Sequence, residues 1–289
     1  NKVISLDDYS LNGLTTAIRH NEYDVCILAY PRFSLAWMAF RAGIPIRIGT
    51  AYRWYSFLFT HRVHHHRRKV EKHEADYNLD LLRPFGINPE ITQPNIHLTD
   101  TERSDACELL RRNGVGPDEP FVVVHPGSGH SSLNWGIERF AELSERVLGE
   151  TEAKVIVTGI ENERPAIQLA FQRLEGRIVN LVGKLTLREL ARVISRSELV
   201  VTNSTGPMHV ATAVGKRVVT LFCPIRAASP IRWGPLGTGH AVLLPPVAQC
   251  SCSVQRCREG NCMNLIEVDT VMKHVLTALR SSNFENKSL

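Results

Sequence analysis

The chain has 289 residues, 43% hydrophobic and 22% charged, which allows two ordinary domains or one large one with a proper core and excludes wholesale disorder. No run approaches the roughly 20 consecutive apolar residues that cross a bilayer, and seven unevenly placed cysteines exclude a disulfide scaffold. The net charge of +5 is too small to define a partner by itself, so its distribution matters more.

The opening Asn1-Lys2-Val3-Ile4 has neither an initiator methionine nor the layout of a signal peptide, and reads as the interior of a longer sequence. Tyr23–Ala29 predicts a strand, Ser34–Ala42 a helix and Ile46–Gly49 a short strand. Glu71–Leu82 predicts a helix ended by Pro84 and Gly86. Between Arg41 and Lys72 lie eight basic residues against one acid, Glu71, so the whole positive excess sits in this segment. Arg53, Arg62, Arg67, Arg68 and Lys69 form its densest part, beside His61, His64, His65 and His66. Such a patch fits an anionic partner, whether phosphate groups, a membrane surface or nucleic acid, or is simply a solvated loop. No recognisable nucleic-acid module accompanies it, which argues against nucleic acid.

From residue 99 onward the pattern is regular. Thr99-Asp100-Thr101-Glu102 is a capping box opening a helix to about Arg112, stopped by Asn113-Gly114. Strands are predicted at Phe121–Val124, Lys154–Thr158, Ile178–Leu181, Glu198–Thr202 and Arg217–Phe222. Helices lie between them, including one with Phe140, Leu143 and Val147 on one face and one opened by a second capping box, Thr186 to Glu189. Val268–Leu279 predicts a last amphipathic helix. Continuous apolar strands alternating with helices indicate a parallel sheet covered on both faces, a doubly wound Rossmann-like arrangement. The expected division is a partial α/β domain over 1–97 and a complete one over 98–289.

In such sheets ligands sit beyond the carboxyl ends of the strands. Two loops there are chemically suited to an anion. The first, His125-Pro126-Gly127-Ser128-Gly129-His130-Ser131-Ser132, offers glycines for close backbone approach and hydroxyl donors; it is neither a dinucleotide fingerprint nor a Walker motif. The second, Asn203-Ser204-Thr205-Gly206-Pro207-Met208-His209, ends a strand in small polar residues and starts a helix, whose N-terminus favours phosphate. Together they suit a nucleoside diphosphate, although two ordinary strand-to-helix turns would read alike. Glu161 and Glu163 stand where a carboxylate could accept ribose hydroxyls, or could serve the helix dipole. Cys250, Cys252, Cys257 and Cys262 share one loop; their spacing lacks paired knuckles, so reduced thiols or a stress-formed disulfide compete with a zinc site.

Four blocks in order, His125-Pro126-Gly127-Ser128-Gly129, Trp135–Leu143, Asn203–His209 and Arg232-Trp233-Gly234-Pro235, resemble glycosyltransferase family 9, the lipopolysaccharide heptosyltransferases. Tyr23-Asp24-Val25 and Gly43–Gly49 are similar to the family's N-terminal domain. The resemblance implies a GT-B fold, two Rossmann-like domains facing a cleft, with the N-terminal one cut short. It implies a cytoplasmic transferase, in possible contact with the inner face of the inner membrane, that moves heptose or a related sugar from an ADP-sugar or other nucleotide-sugar donor. The acceptor would be the lipid-linked, anionic inner core of lipopolysaccharide or a related surface glycan, and the reaction an inverting single displacement without metal or cofactor. Donor contacts would come from Gly127, Ser128, Gly129, Ser131, Glu161, Glu163, Lys184, Leu185, Ser204, Thr205, Gly206, Pro207, Met208 and His209. Arg53, Arg62, Arg67, Arg68 and Lys69 would face the acceptor.

Three departures accompany the resemblance. The family's opening strand, glycine turn and acidic general base would precede Asn1, within roughly 60 further residues. Leu133 stands where many members carry lysine, and Ser204 where the common motif has aspartate. An inactive nucleotide-sugar-binding homologue and a sugar-nucleotide epimerase are the alternative readings.

Overall fold

The structure, a computed structural model, describes residues 10–129, 133–247, 250 and 261–285. The chain forms two compact units, Asn1–Ile91 and Thr92–Leu289.

In the first unit, helix α1 (Leu11–His20) precedes strand β1 (Val25–Ile27), helix α2 (Phe33–Arg41), strand β2 (Ile46–Thr50), strand β3 (His61–Val63) and the short helix α3 (Glu74–Leu79). The three strands form a parallel sheet in the order β1-β2-β3, with Cys26 opposite Arg47 and Ile48 opposite His61. Ala36 and Leu28 pack with Tyr55, Leu58 and Phe59. The Phe59 ring lies over β2 so closely that a Cβ on Gly49 would come within 2.4 Å of it, which is why a strand interior carries glycine here. Arg47 belongs to the scaffold: its guanidinium donates to the carbonyls of Leu58, at 2.8 Å, and Ile44.

The helix predicted over Glu71–Leu82 is shorter than expected. It starts at Glu74, where the His73 ring caps the amide of Ala75 at 3.1 Å, and passes after Leu79 into a 3-10 turn, Asp80–Phe85. Pro84 has no amide to continue an α-helix, and Gly86 closes the turn at φ +73°. Four elements escaped sequence reading. Helix α1 contains Gly13 and three threonine or asparagine positions, all weak helix formers. Strand β3 opens with His61 and Arg62 and has one apolar residue, Val63, and a further strand and a helix, described below, are only three and four residues long.

The second unit is a six-stranded, wholly parallel sheet in the order β6-β5-β4-β7-β8-β9. Its strands are β4 (Phe121–His125), β5 (Lys154–Val157), β6 (Val179–Asn180), β7 (Leu199–Asn203), β8 (Val218–Leu221) and β9 (Ala241–Leu243), the last not foreseen. Around them run α4 (Asp100–Arg112), α5 (Ile137–Glu150), α6 (Arg164–Ala170), α7 (Leu187–Arg196), α8 (Gly206–Ala213), α9 (Pro230–Trp233) and α10 (Val268–Glu285). Alternation along the central strands divides the core. Val122, Val124, Leu199 and Val201 pack with Phe140, Leu143 and Val147 of α5 and Val271 and Val275 of α10. Phe121, Val123 and Val200 pack on the opposite side with Leu110 of α4, Val193 and Ile194 of α7 and Met208 of α8. Each fully buried valine or leucine contributes roughly 1.5–3 kcal/mol, and residues 121–124 and 199–203 are buried throughout.

Both capping boxes form as predicted, Thr99 with Glu102 and Thr186 with Glu189. Glu102 also ties α4 to α7 by accepting from Arg188 (2.6 Å) and Arg192 (3.1 Å). These two guanidiniums, with the Thr99 amide, hold its carboxyl well below the usual carboxylate range.

Candidate functional site

The order of the six strands places the change of winding direction between β4 and β7, where doubly wound sheets bind ligands. Strand β4 ends at His125 and β7 at Asn203, so the two loops singled out in the sequence emerge side by side. Asn203 joins them. Fully buried, it accepts a hydrogen bond from the Trp135 amide (2.9 Å) and donates to the Pro126 carbonyl (2.7 Å). One amide side chain thus pins both ends of the 126–135 loop to the start of the α8 turn. Trp135 is itself anchored: its ring N–H donates to the Ile266 carbonyl at 2.8 Å and its face meets Phe140 edge-on at 4.8 Å. The Thr202 hydroxyl adds a third tie, donating to the His125 carbonyl at 3.0 Å.

Beyond these strand ends lies a cavity of about 300 Å³. One side is polar, formed by His125, Ser128, Gly129, Thr158, Glu163, Thr205 and Gly206; the other is apolar, formed by Ile160, Leu181, Leu185, Leu187 and Leu190. Helix α8 points its N-terminus here. Its N-cap residue, Thr205, makes no side-chain capping bond; Pro207 has no amide and that of Met208 donates to the Thr205 carbonyl at 3.0 Å, so in the first turn it is the Gly206 amide that is open to an anion. Glu163 bridges the wall: its carboxylate accepts from the amides of Gly129 (3.1 Å) and Ile160 (3.1 Å). A Cβ on Gly127 would fall 2.1 Å from that carboxylate, so the glycine is what lets the acid reach across the loop.

His125 is 6% exposed, and its Nδ1 lies 2.9 Å from the Thr158 hydroxyl. Burial pushes its pKa down to about 4, against a smaller upward pull from Glu163. The ring is therefore neutral at physiological pH.

Of the residues proposed for the donor, Ser128, Gly129, Glu163, Leu185, Thr205, Gly206 and Pro207 line one cavity. Gly127 lies directly behind it. Glu161 instead forms an ion pair with Arg164, which lowers its pKa, and Lys184 donates to the Asn180 carbonyl at 2.8 Å. Met208 is fully buried in the sheet-facing core of α8; Ser204 and His209 are half-buried beside it and do not line the cavity. Ser131 lies outside the described residues, as do Cys252 and Cys257. Cys250 is a half-buried free thiol and Cys262 is half-buried at the start of the short helix Cys262–Leu265, and among the described residues no group of three or more metal-ligating side chains converges. Missing from the proposed donor set were Asn203, His125, Thr158 and, Leu185 apart, the apolar wall. A signal existed for His125 and Asn203, since each is the last residue of an apolar strand.

The first unit carries its own cavity, about 410 Å³, at the carboxyl end of its sheet, lined by Arg53, Arg67, Arg68, Tyr52, His65 and His66 among others. The basic residues divide into two kinds. Arg67 is structural: it pairs with the buried Glu74 and donates to Asn78 Oδ1 at 2.9 Å. Lys72 and Arg83 likewise hold the buried Asp80, at 2.5 and 3.0 Å. Arg53 and Arg68 reach the cavity and make no ion pair with a described residue. Arg62 is exposed on β3, and Lys69 stands 3.7 Å from Glu71; neither lines the cavity. The Tyr52 and His66 rings lie 4.1 Å apart at an angle of 33° and share a hydrogen bond of 2.9 Å, giving the cavity an aromatic side. Among the described residues no helix is long and apolar enough to cross a membrane.

Comparison with known proteins agrees with this arrangement. A Haemophilus influenzae protein whose name assigns it provisionally to the glycosyltransferases is 26% identical over 285 residues, covering 95% of this chain and 80% of its own length. Lipopolysaccharide heptosyltransferase 2 of Escherichia coli is 25% identical over 218 residues, 72% of this chain and 62% of that protein; the chain thus spans somewhat under two thirds of this relative. In fold, the chain matches a family 9 glycosyl transferase from Veillonella parvula with a TM-score of 0.78 at 21% identity, over 97% of this chain and 81% of that one. The profile of glycosyltransferase family 9 (heptosyltransferase) matches residues 12–263, the family that the four sequence blocks resemble. The chain belongs to glycosyltransferase family 9, the heptosyltransferase family.

Proposed function

We propose that the chain moves heptose or a related sugar from an ADP-sugar, or another nucleotide sugar, to the lipopolysaccharide inner core or a related phosphorylated, lipid-linked surface glycan. The observation that carries this reading is the cavity between the β4 and β7 loops. Its glycine loop and open helix N-terminus suit a diphosphate, while the adjoining leucine wall suits a flat base. Glu163 stands on the polar side of the same cavity, within reach of a ribose. An acceptor hydroxyl attacks the anomeric carbon from the face opposite the diphosphate; the bond to the diphosphate oxygen breaks with inversion, and the acceptor's proton passes to a base. The α8 N-terminus then stabilises the negative charge growing on the leaving group. Arg53 and Arg68, with the Tyr52–His66 platform, take the anionic acceptor. No cofactor or metal is required by this chemistry, and the working location is the cytoplasm, at the inner face of the inner membrane.

A binding role without turnover is the second reading. Leu133, where related enzymes place a lysine, packs against the apolar core and supplies no phosphate contact. Release of nucleoside diphosphate from ADP-heptose, ADP-glucose and UDP-sugars, with and without a phosphorylated core oligosaccharide, separates the two. Acceptor-dependent release supports transfer. Nucleotide-dependent thermal stabilisation without release supports binding alone. Absence of both, in a folded sample, refutes the donor site.

A further inference from the structure

His125 sits in the donor cavity without a role in holding the fold that would require a histidine. Its ring is 94% buried and forms part of the polar wall together with Ser128, Thr205 and Gly206. Nδ1 meets the Thr158 hydroxyl at 2.9 Å. The other nitrogen, Nε2, makes no hydrogen bond with a described residue. A nitrogen left in this way on a side chain so deeply buried, in the wall of a cavity beside a helix terminus, points to a ligand.

The hydrogen-bond inventory decides which nitrogen carries the proton. Thr158 is 2% exposed, and its hydroxyl has no partner other than His125. A buried hydroxyl hydrogen needs an acceptor. If Nδ1 were the protonated nitrogen, it would donate to Oγ1 and the hydroxyl hydrogen would have no acceptor. With the hydroxyl donating to Nδ1, every group is satisfied and the ring hydrogen is placed on Nε2. Thr158 thereby sets the tautomer, as a second residue commonly does for a functional histidine.

We propose that His125 binds the donor directly, its neutral ring donating the Nε2 hydrogen to a phosphate oxygen of the nucleoside diphosphate. This rests on the nucleotide-sugar reading above. A neutral donor suits the place: a buried cation would need a counter-charge whenever the cavity is empty, whereas an imidazole can wait uncharged and still reinforce the helix amides once an anion arrives.

Calorimetric titration of the chain with ADP, UDP and adenosine tests the assignment. Loss of a hydrogen bond to a charged group corresponds to roughly 10- to 100-fold in affinity, so His125→Leu is expected to weaken ADP by about that factor and leave adenosine within about threefold. His125→Gln, whose amide can place an N–H near the Nε2 position, is expected to hold ADP within about threefold of wild type. Thr158→Val, which frees the tautomer, is expected to fall between the two. Nitrogen-15 spectra of the wild-type ring should show the proton on Nε2. Equal losses for ADP and adenosine, unchanged ADP binding by His125→Leu, or a proton on Nδ1 overturns the proposal while leaving the donor site standing. A wild-type chain that binds neither ADP nor UDP overturns both. If His125→Leu does not fold, the Gln and Val variants and the spectrum still decide.

Discussion

Replacing Asn203 by alanine removes two hydrogen bonds at once. The Trp135 amide and the Pro126 carbonyl, both in fully buried surroundings, lose their shared partner. An orphaned buried backbone group costs about 1–3 kcal/mol, so the pair loses about 4 kcal/mol. For a unit the size of the second one, each kcal/mol lowers Tm by about 2–4 °C, and scanning calorimetry should record a fall of roughly 8–16 °C. Because Trp135 loses its backbone tether, its emission should shift towards that of a solvated ring before the main transition. Asn203→Leu is the control, with similar volume and no polar atoms. If the leucine variant keeps the native Tm while alanine does not, packing rather than hydrogen bonding holds the loops together. If both variants lose less than about 1 kcal/mol, the bridging role of Asn203 is wrong.

Other consequences are as definite. His125 has a folded pKa of about 4 against 6.5 in the unfolded chain, so the unfolded state binds more protons between these values and stability falls with pH across that window. About 3 kcal/mol is lost between pH 6.5 and 4, and His125→Gln should flatten this part of a chemical-denaturation series; an unchanged slope would show that another group titrates. Gly127→Ala drives a methyl group into the Glu163 carboxylate and should cost about 1–2 kcal/mol together with nucleotide affinity; full affinity would mean that Glu163 moves aside freely. Arg67→Ala removes the guanidinium from the buried Glu74 and should lower stability by about 2–3 kcal/mol. Arg68→Ala should instead leave stability within about 0.5 kcal/mol and weaken binding of a phosphorylated core oligosaccharide. Reversed effects would exchange the structural and binding assignments of the two arginines.

The parts of this protein legible in the sequence are those governed by short-range rules. The apolar runs at 121–124 and 199–202, the boxes Thr99/Glu102 and Thr186/Glu189, and the face of Phe140, Leu143 and Val147 all state their structure within a few residues. So do the two loops, whose glycines and hydroxyls mark a strand-to-helix turn open to an anion. What was not legible depends on distance along the chain. Nothing near Asn203 reveals that its partners are Pro126 and Trp135, on another strand's loop. The local charge of the 41–72 segment does not reveal that acids from 74 and 80 neutralise part of it, so counting overstated the cations available to a ligand. Lys184 and Glu161 looked suited to the donor by type, yet each is engaged by a neighbour, Asn180 and Arg164. Strand β9, three residues among prolines and glycines, is defined by its pairing with β8 rather than by its own pattern.

The position of the cavity at the ends of β4 and β7 has a consequence for how the site can be lost. These two strands lie innermost in the sheet, each flanked by a further strand on its outer side, and amides so placed exchange with solvent water only when the whole unit opens. The walls of this cavity therefore disappear together with the second unit and not by fraying of an edge. Bound nucleotide should slow deuterium uptake at Val123 and Val200 as much as at the loops themselves. Protection that spreads through the sheet in this way would make amide exchange at its centre a measure of donor occupancy.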